Sequence, residues 1–447
     1  TIIFKVMCSF NVTNKDINLH DTNYFSQKRG PDQTNVIKIN GVSILHNLLQ
    51  ITGETTSQPI IDKDIVCVMN GEIYNYKNFG KYESDALCII PLYREFGIEF
   101  AKKLDGEFAI VIIDFEKDEL ILINDVFATK PLWIQSNYDI DNKFTVASYE
   151  SSVKLSGFDT AFKMWGNYIW RFRLSTMEQL GSMELVEFDI NQHKDSYDDW
   201  IHAFENSIKK RTENTKHKMF LGLSAGYDSG AITCELNKQS KKYAAYTVIG
   251  GENPKIIDAR HKEVKDSEII RLTKWEYDNL FQRNLKECED FFYSDIYKDY
   301  NIKHDKASVG LAAICERANK NNQRIYFSGQ GADEIISDYG FNGNKIYNHS
   351  SFGGKFPDDL NGFFPWHSFY DGTQIQYLNK EEYVAGSYGI ETRYPFLDKD
   401  LVQEFLWLSS NLKNKYYKAP LREYLHRNGF PYEEGIKTGF GANKNLL

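Results

Sequence analysis

The chain has 447 residues, 42% hydrophobic and 26% charged, a length that predicts two or three domains in a soluble globular protein rather than one core. Its 53 basic against 62 acidic side chains, a formal charge of -9, argue against a nucleic-acid partner, which needs an excess of Lys and Arg. The apolar runs fall far short of the ~20 residues of a membrane span, so no membrane partner is expected.

The first third reads as short strands separated by turns. Residues 36–45, 64–69, 107–114 and 119–124 are β-branched, aromatic or alternating stretches. One helix is predicted over 84–96, with Asp85 near its start and Gly97 as C-cap. Near residue 190 the pattern changes. A helix is predicted over 196–211, a strand over 219–223 and a helix from Ala231. Strands follow over 244–249 and 324–327, with a helix over 309–318 between them. That alternation predicts a doubly wound parallel sheet after an α+β sandwich. After Gly389 the chain reads as largely helical. The domains are placed at 1–190 and 191–447.

The six cysteines, Cys8, Cys67, Cys88, Cys234, Cys288 and Cys315, form no CxxC pair and no Cys/His cluster of zinc spacing. They read as reduced thiols, which predicts the cytoplasm. The first ten residues read as too short and polar for a signal peptide.

Two loops carry chemistry. Ser224-Ala225-Gly226-Tyr227-Asp228-Ser229-Gly230 sits between a predicted strand and a helix. Its hydroxyls, its glycines and the free N–H groups of the helix start form an anion cradle. Asp228 makes sense there as a Mg²⁺ ligand bridging to phosphate. No Gly-Lys-Ser or Gly-Lys-Thr follows, which excludes a Walker A loop. The bland reading is a Ser/Gly turn capping a helix. Ser328-Gly329-Gln330-Gly331-Ala332-Asp333-Glu334 also follows a strand, and strand ends in a parallel sheet share one ligand site. Asp228 and Asp333 would then share the metal.

The first loop resembles the SGGxDS pyrophosphate loop of N-type ATP pyrophosphatases, and the second resembles the SGEGADE segment of the asparagine synthetase branch. Gly389-Ile390-Glu391-Thr392-Arg393-Tyr394-Pro395-Phe396-Leu397-Asp398 is similar to that branch's GVExRxPFLD. Lys418-Ala419-Pro420-Leu421-Arg422-Glu423 is similar to its KxxLRE, and residues 437–440 to its KxGF. Upstream, Arg29-Gly30-Pro31-Asp32, Asn70-Gly71-Glu72-Ile73-Tyr74-Asn75 and Lys130-Pro131-Leu132 match too. The resemblance spans nearly the whole chain in one order.

The resemblance implies an N-terminal-nucleophile-like class II glutamine amidotransferase domain, followed by an α/β ATP pyrophosphatase domain (PP-loop, adenine nucleotide alpha hydrolase-like). It implies ATP and Mg²⁺, a β-aspartyl adenylate, and ammonia as the attacking group. Carried over, Gly222, Ser224, Gly226, Asp228 and Ser229 would hold the pyrophosphate. Val248, Ser328 and Gly329 would line the adenosine pocket, and Asp228 with Asp333 would hold the metal. Lys418 would neutralise the α-phosphate, and Glu391 would act near the acceptor carboxylate or the amine. In the first domain Cys8 would be the nucleophile, activated as a thiolate by its own α-amine. Asn70 and Gly71 would form the oxyanion hole, and Arg29, Glu72 and Asp85 would surround glutamine. The bland readings are a buried strand thiol for Cys8, a surface ion pair for Lys418 and a helix-start carboxylate for Glu391.

Four departures bear on function. Residues 1–7 precede Cys8, so its α-amine is blocked unless they are removed. The family's HxRL reads His46-Asn47-Leu48-Leu49, so the arginine that grips the glutamine carboxylate is Leu48. The glutamate of SGEGADE is Gln330. The chain stops at Leu447, where family members continue, so the second domain is expected to be short. The leading expectation is an AMP-forming amide ligase for aspartate or a relative, with ammonia or an amine, and homodimeric. The alternatives are an acid/amine pair of the lasso-cyclase or β-lactam-synthetase kind, a tRNA-modifying relative sharing the pyrophosphate loop, and a non-catalytic protein keeping the fold.

Overall fold

The computed structural model describes residues 8–30, 32–135, 141–293 and 300–436. Two compact units divide the chain. The first holds residues up to 187 with 214–216 and 386–391, and the second holds 188–213, 217–385 and 392 onward. Residues 1–7, Pro31 and 437–440, singled out above, lie outside the described residues.

In the first unit two six-stranded antiparallel sheets face each other. One runs in the order Ala161–Lys163, Trp133–Gln135, Thr145–Ala147, Ser9–Thr13, Val42–Leu48, Gln33–Ile39. The other runs Gln179–Glu184, Tyr168–Arg173, Glu119–Asn124, Gly106–Asp114, Ile65–Ile73, Ile60–Asp62. The apolar run in Gly106–Asp114 is continuous because both of its faces are covered. Ala109, Val111 and Ile113 join Phe10, Val12 and Ile44 in one core. Phe108, Ile110 and Ile112 join Ile89, Tyr93 and Phe100 in another. Side chains that alternate across a pleat reach both.

Four expectations are corrected. Residues 36–45 are not one strand. Asn40 and Gly41 take φ of 47° and 83° and turn a hairpin, because Asn-Gly supplies the two left-handed residues of a tight turn. The helix over 84–96 opens as a 3-10 turn, Asp85–Cys88, with Ile89–Phe96 as its α-helical part. The strand expected to end at residue 69 continues to Ile73, which puts Asn70, Gly71 and Glu72 on it. The helix expected from Ala231 starts at Tyr227, so Asp228 and Ser229 lie in its first turn.

The second unit is built on a parallel sheet in the order Asp266–Ile270, Tyr243–Val248, Lys218–Gly222, Gln323–Phe327, Glu391–Arg393. Helices such as Tyr227–Lys238 and Lys306–Lys320 connect its strands. Lys218–Gly222 is therefore a central strand, with Gln323–Phe327 beside it, and the loops that follow both strands leave the same edge of the sheet. No helix among the described residues is long and apolar enough to cross a membrane.

The doubly covered sheet makes a prediction about stability. Ile112→Ala should cost about 2–5 kcal/mol, because the fully buried side chain leaves a cavity. Ile61→Ala, at a position 48% exposed, should cost less than about 0.5 kcal/mol. Native-state hydrogen exchange of the Gly106–Asp114 amides checks both.

Candidate functional site

The loop after Lys218–Gly222 is held by its own hydroxyls and by one arginine. Gly226 is the extended N-cap of Tyr227–Lys238. The Ser224 and Ser229 hydroxyls lie 2.8 Å apart, and the Ser224 and Gly226 N–H groups donate to Ser229 Oγ and Ser224 Oγ, both at 3.1 Å. Arg260 lies beneath. Its Nη1 donates to the Ser224 carbonyl and to the Gly226 carbonyl, the latter at 2.7 Å, and its Nε donates to Pro431 O at 2.9 Å. These contacts turn the two carbonyls toward Arg260, while the Ser224 and Gly226 N–H groups are taken by the loop's own hydroxyls. The Ala225 N–H meets a carboxylate there, Glu252 Oε1 at 3.0 Å. Gly230 is glycine because a Cβ would sit 2.4 Å from the Arg260 guanidinium.

The second loop touches the first. A Cβ on Gly329 would lie 2.9 Å from Asp228 Cβ, so only glycine permits this approach. Lys418 joins the two loops. Its Nζ donates to Asp228 Oδ1 and Oδ2 at 2.6 and 2.8 Å and lies 2.9 Å from Asp333 Oδ1. Burial opposes the lysine's charge, but Asp228 and Asp333 outweigh it and hold its pKa well above the ordinary value. Its backbone is left-handed, φ 46°, at the N-cap of Ala419–Arg427. Tyr417 donates to Asp333 Oδ1 at 3.3 Å. Behind Asp333, the buried Glu334 accepts from Gln330 Nε2 at 2.6 Å, from the Gly331 N–H and from the Tyr339 hydroxyl. Burial first, and then the Asp333 charge, raises Glu334 to about 7.

A cavity of about 560 Å³ opens on these groups. Gly222, Ser224, Gly226, Asp228, Ser229, Gly329, Asp333 and Lys418 all line it. Val248 and Ser328 do not; both are buried, at 3% and 0% exposure. Glu391 is also absent from the lining. It clusters with the first unit, where its charge acts on Cys8 and Asp85. Arg260, Glu252, Tyr417 and the cavity tyrosines other than Tyr227 were not read from the sequence. No motif marks them, and Arg260 reaches Ser224 from 36 residues downstream.

In the first unit the Cys8 thiol donates to Leu49 O at 3.4 Å and accepts the Leu49 N–H at 3.3 Å. Burial pushes it well above the ordinary thiol range. The Leu49 contact opposes that rise, and Glu391, Glu72 and Asp85 add to it. Arg29, fully buried, donates from Nε to Cys8 O at 3.2 Å. Asn70 is fully buried, and neither its Nδ2 nor its Oδ1 has a hydrogen-bond partner among the described residues. Such a group costs stability unless a ligand completes it. Gly71, at φ 127°, could not carry a Cβ, which would fall 2.0 Å from Glu107 O. Glu72 accepts the Thr52 hydroxyl. Asp85 accepts the Ile73 N–H at 2.9 Å, and burial raises it to about 6. Leu48 is a buried apolar side chain, 4% exposed, and brings no charge to this unit.

The glutamine amidotransferase domain family matches residues 6–165, and the asparagine synthase family matches residues 199–370. A glutamine-hydrolysing asparagine synthetase of Arabidopsis thaliana is 25% identical over 473 residues, covering 96% of this chain and 73% of its own length. The glutamine-hydrolysing enzyme of Gallus gallus is 26% identical over 468 residues, covering 90% and 76%. A nodule asparagine synthetase of Pisum sativum is 23% identical over 462 residues, covering 96% and 73%. Both domain families are matched in order and the relatives align along nearly the whole chain, so the chain is similar from end to end to glutamine-hydrolysing asparagine synthetases.

Proposed function

We propose that this protein is an ATP-dependent amide ligase, activating a carboxylate as an acyl-adenylate in its second unit and releasing AMP and pyrophosphate. The observation that carries the reading is the meeting of Asp228, Asp333 and Lys418 where the two glycine loops touch. Ser224, Gly226 and Ser229 would cradle the pyrophosphate, and Gly222 and Gly329 would flank the nucleotide. Val248 and Ser328 would act on adenosine through their backbone.

Two carboxylates spanned by an ammonium at 2.6–2.9 Å form a donor set that fits Mg²⁺. That ion takes one or two carboxylates and completes its shell with phosphate oxygens and water. Asp228 and Asp333 would hold it, and it would neutralise the phosphates. Lys418, freed from the carboxylates, would turn to the α-phosphate, where charge develops as pyrophosphate leaves. Cysteines spread singly along the sequence, with no CxxC pair, support a reducing compartment, the cytoplasm.

The first unit, proposed as residues 1–190, would bind an amide at Asn70 and Gly71, the orphaned Asn70 amide donating to the substrate oxygen. Arg29, Glu72 and Asp85 would surround it, with Cys8 as nucleophile. Cys8 is held as a thiol, and Leu48 offers glutamine's α-carboxylate no cation. The ligase is therefore proposed to favour ammonia or an amine over glutamine.

Three outcomes are expected. ATP consumption yields AMP and pyrophosphate, and Asp228→Asn lowers ATP–pyrophosphate exchange by at least about 100-fold; recovery of ADP and phosphate would exclude an adenylate. Arg260→Met costs about 10- to 100-fold in kcat/KM for ATP through a displaced loop. Arg260→Lys recovers only part of that, because an ammonium cannot reproduce the planar fork that bonds two loop carbonyls and Pro431 together. Steady-state kinetics on circular-dichroism-matched proteins checks both. Finally, glutamine supports amide formation about one to three orders of magnitude less well than ammonium at equal concentration, for want of a charge-assisted partner; equal efficiency in a coupled AMP assay would overturn this.

A further inference from the structure

Beyond the phosphate-cradling loop, the cavity is walled by aromatic rings. Tyr293, Tyr339, Tyr347, His349 and Tyr377 all line it. Their ring centroids form a continuous chain: Tyr293 to Tyr377 at 5.5 Å, Tyr377 to Tyr339 at 6.2 Å, Tyr339 to His349 at 4.1 Å, and His349 to Tyr347 at 5.5 Å. The wall is built in advance. Asp338 and Tyr339 both hold left-handed backbone, φ 44° and 55°, which non-glycine residues adopt only when their surroundings enforce it. The Asp338 carboxylate enforces it by accepting from Ser350 Oγ, the Ser351 and Phe352 N–H groups and Ser368 Oγ at 2.7–2.9 Å.

The charge in this chamber is lopsided. Four carboxylates, Asp228, Asp305, Asp333 and Glu381, line the cavity against two lysines. Both lysines are engaged. Lys418 spans Asp228 and Asp333, and Lys380 lies 3.6 Å from Asp305 Oδ2 with its ammonium 4.4 Å from the Tyr377 ring centre. Glu381 is left over. Its Oε2 is buried and has no hydrogen-bond partner among the described residues. Burial raises its carboxyl to about 7, against the Ser328 hydroxyl and Lys380. A second anion would meet four carboxylates here and two lysines that are already engaged. A cation would find the negative faces of the rings and an unmatched carboxylate together, the combination that selects organic ammonium ions.

We propose that this chamber takes the nitrogen-bearing partner of the reaction as an organic ammonium, a primary amine carrying an alkyl or aryl group, with Glu381 as its carboxylate partner. The proposal rests on reading the adjoining loops as the site of acyl activation, and it concerns the amine alone. Lys380 over Tyr377 shows the wall already holding one ammonium against a ring.

The test uses three probes of one shape on the full chain without ATP: 2-phenylethylammonium, neutral 2-phenylethanol and anionic 3-phenylpropionate, each titrated calorimetrically. The ammonium should bind at least about tenfold more tightly than the alcohol. Glu381→Gln, which keeps the shape of the side chain, should bring it to the alcohol's level, and Tyr377→Leu should weaken it severalfold. Equal affinity for ammonium and alcohol, tighter binding of the propionate, or no binding of any probe overturns the proposal. The ATP reading is judged separately, by AMP and pyrophosphate formation with ammonium chloride as the only amine. Loss of that reaction sinks the ligase reading and leaves the probe titrations standing. Normal turnover with ammonium chloride alongside flat titrations sinks only the amine proposal.

Discussion

One buried ammonium organises the second unit. Lys418 stands between Asp228 and Asp333, two carboxylates that begin helical segments after neighbouring parallel strands. Two such anions close together repel each other, and in a buried setting the repulsion is too costly to leave uncompensated. The lysine offsets one of the two charges and attracts both carboxylates, from a left-handed backbone at its own position. In the proposed reaction Asp228 and Asp333 would hold a divalent cation, which would supply compensating charge while the lysine turns toward phosphate.

The surrounding architecture serves that arrangement. The parallel sheet delivers the loops after Lys218–Gly222 and Gln323–Phe327 to one edge, and Gly329 lets them touch. Arg260 fixes which side of the first loop faces the ligand by holding the Ser224 and Gly226 carbonyls. The Ser224, Ala225 and Gly226 N–H groups are themselves taken, by Ser229 Oγ, Glu252 Oε1 and Ser224 Oγ, so an anion in this loop would meet the hydroxyls and the helix start. In the first unit Asn70 is fixed on a strand between two covered sheet faces, with neither amide atom partnered among the described residues and Gly71 pressed against the neighbouring strand.

The unit that handles ATP in the proposed reaction and the unit that would handle glutamine show different degrees of electrostatic completeness. Every charged group at the glycine loops has a counter-charge or a hydrogen-bond network. In the first unit burial first, and then the charges of Glu391, Glu72 and Asp85, raise the Cys8 thiol, and Leu48 brings no counter-charge. A thiol surrounded by carboxylates is a poor nucleophile.

Much of this was legible in the primary structure because it depends on local chemistry. Strand periodicity and the change near residue 190 marked a sandwich followed by a parallel sheet, and the glycine-rich segments after strands marked the ligand edge. Asn40-Gly41 also carried a local turn signal that the strand reading overlooked. What the sequence could not show is whatever depends on distance in space. Arg260, Glu252 and Tyr417 lie far along the chain from the atoms they hold, so no spacing announces them. Glu391 sits in a recognisable motif, yet the groups its charge reaches, Cys8 and Asp85, are fixed only by how the strands assemble. The tyrosine wall is the clearest case. Its rings come from three separate stretches, each unremarkable in a chain with 28 tyrosines, and only the packing that closes the cavity turns them into one surface. The sequence by itself determined which backbone could approach a phosphate. The tertiary structure decided which charges and rings surround whatever binds beside it, because burial and counter-charge are properties of neighbours in space.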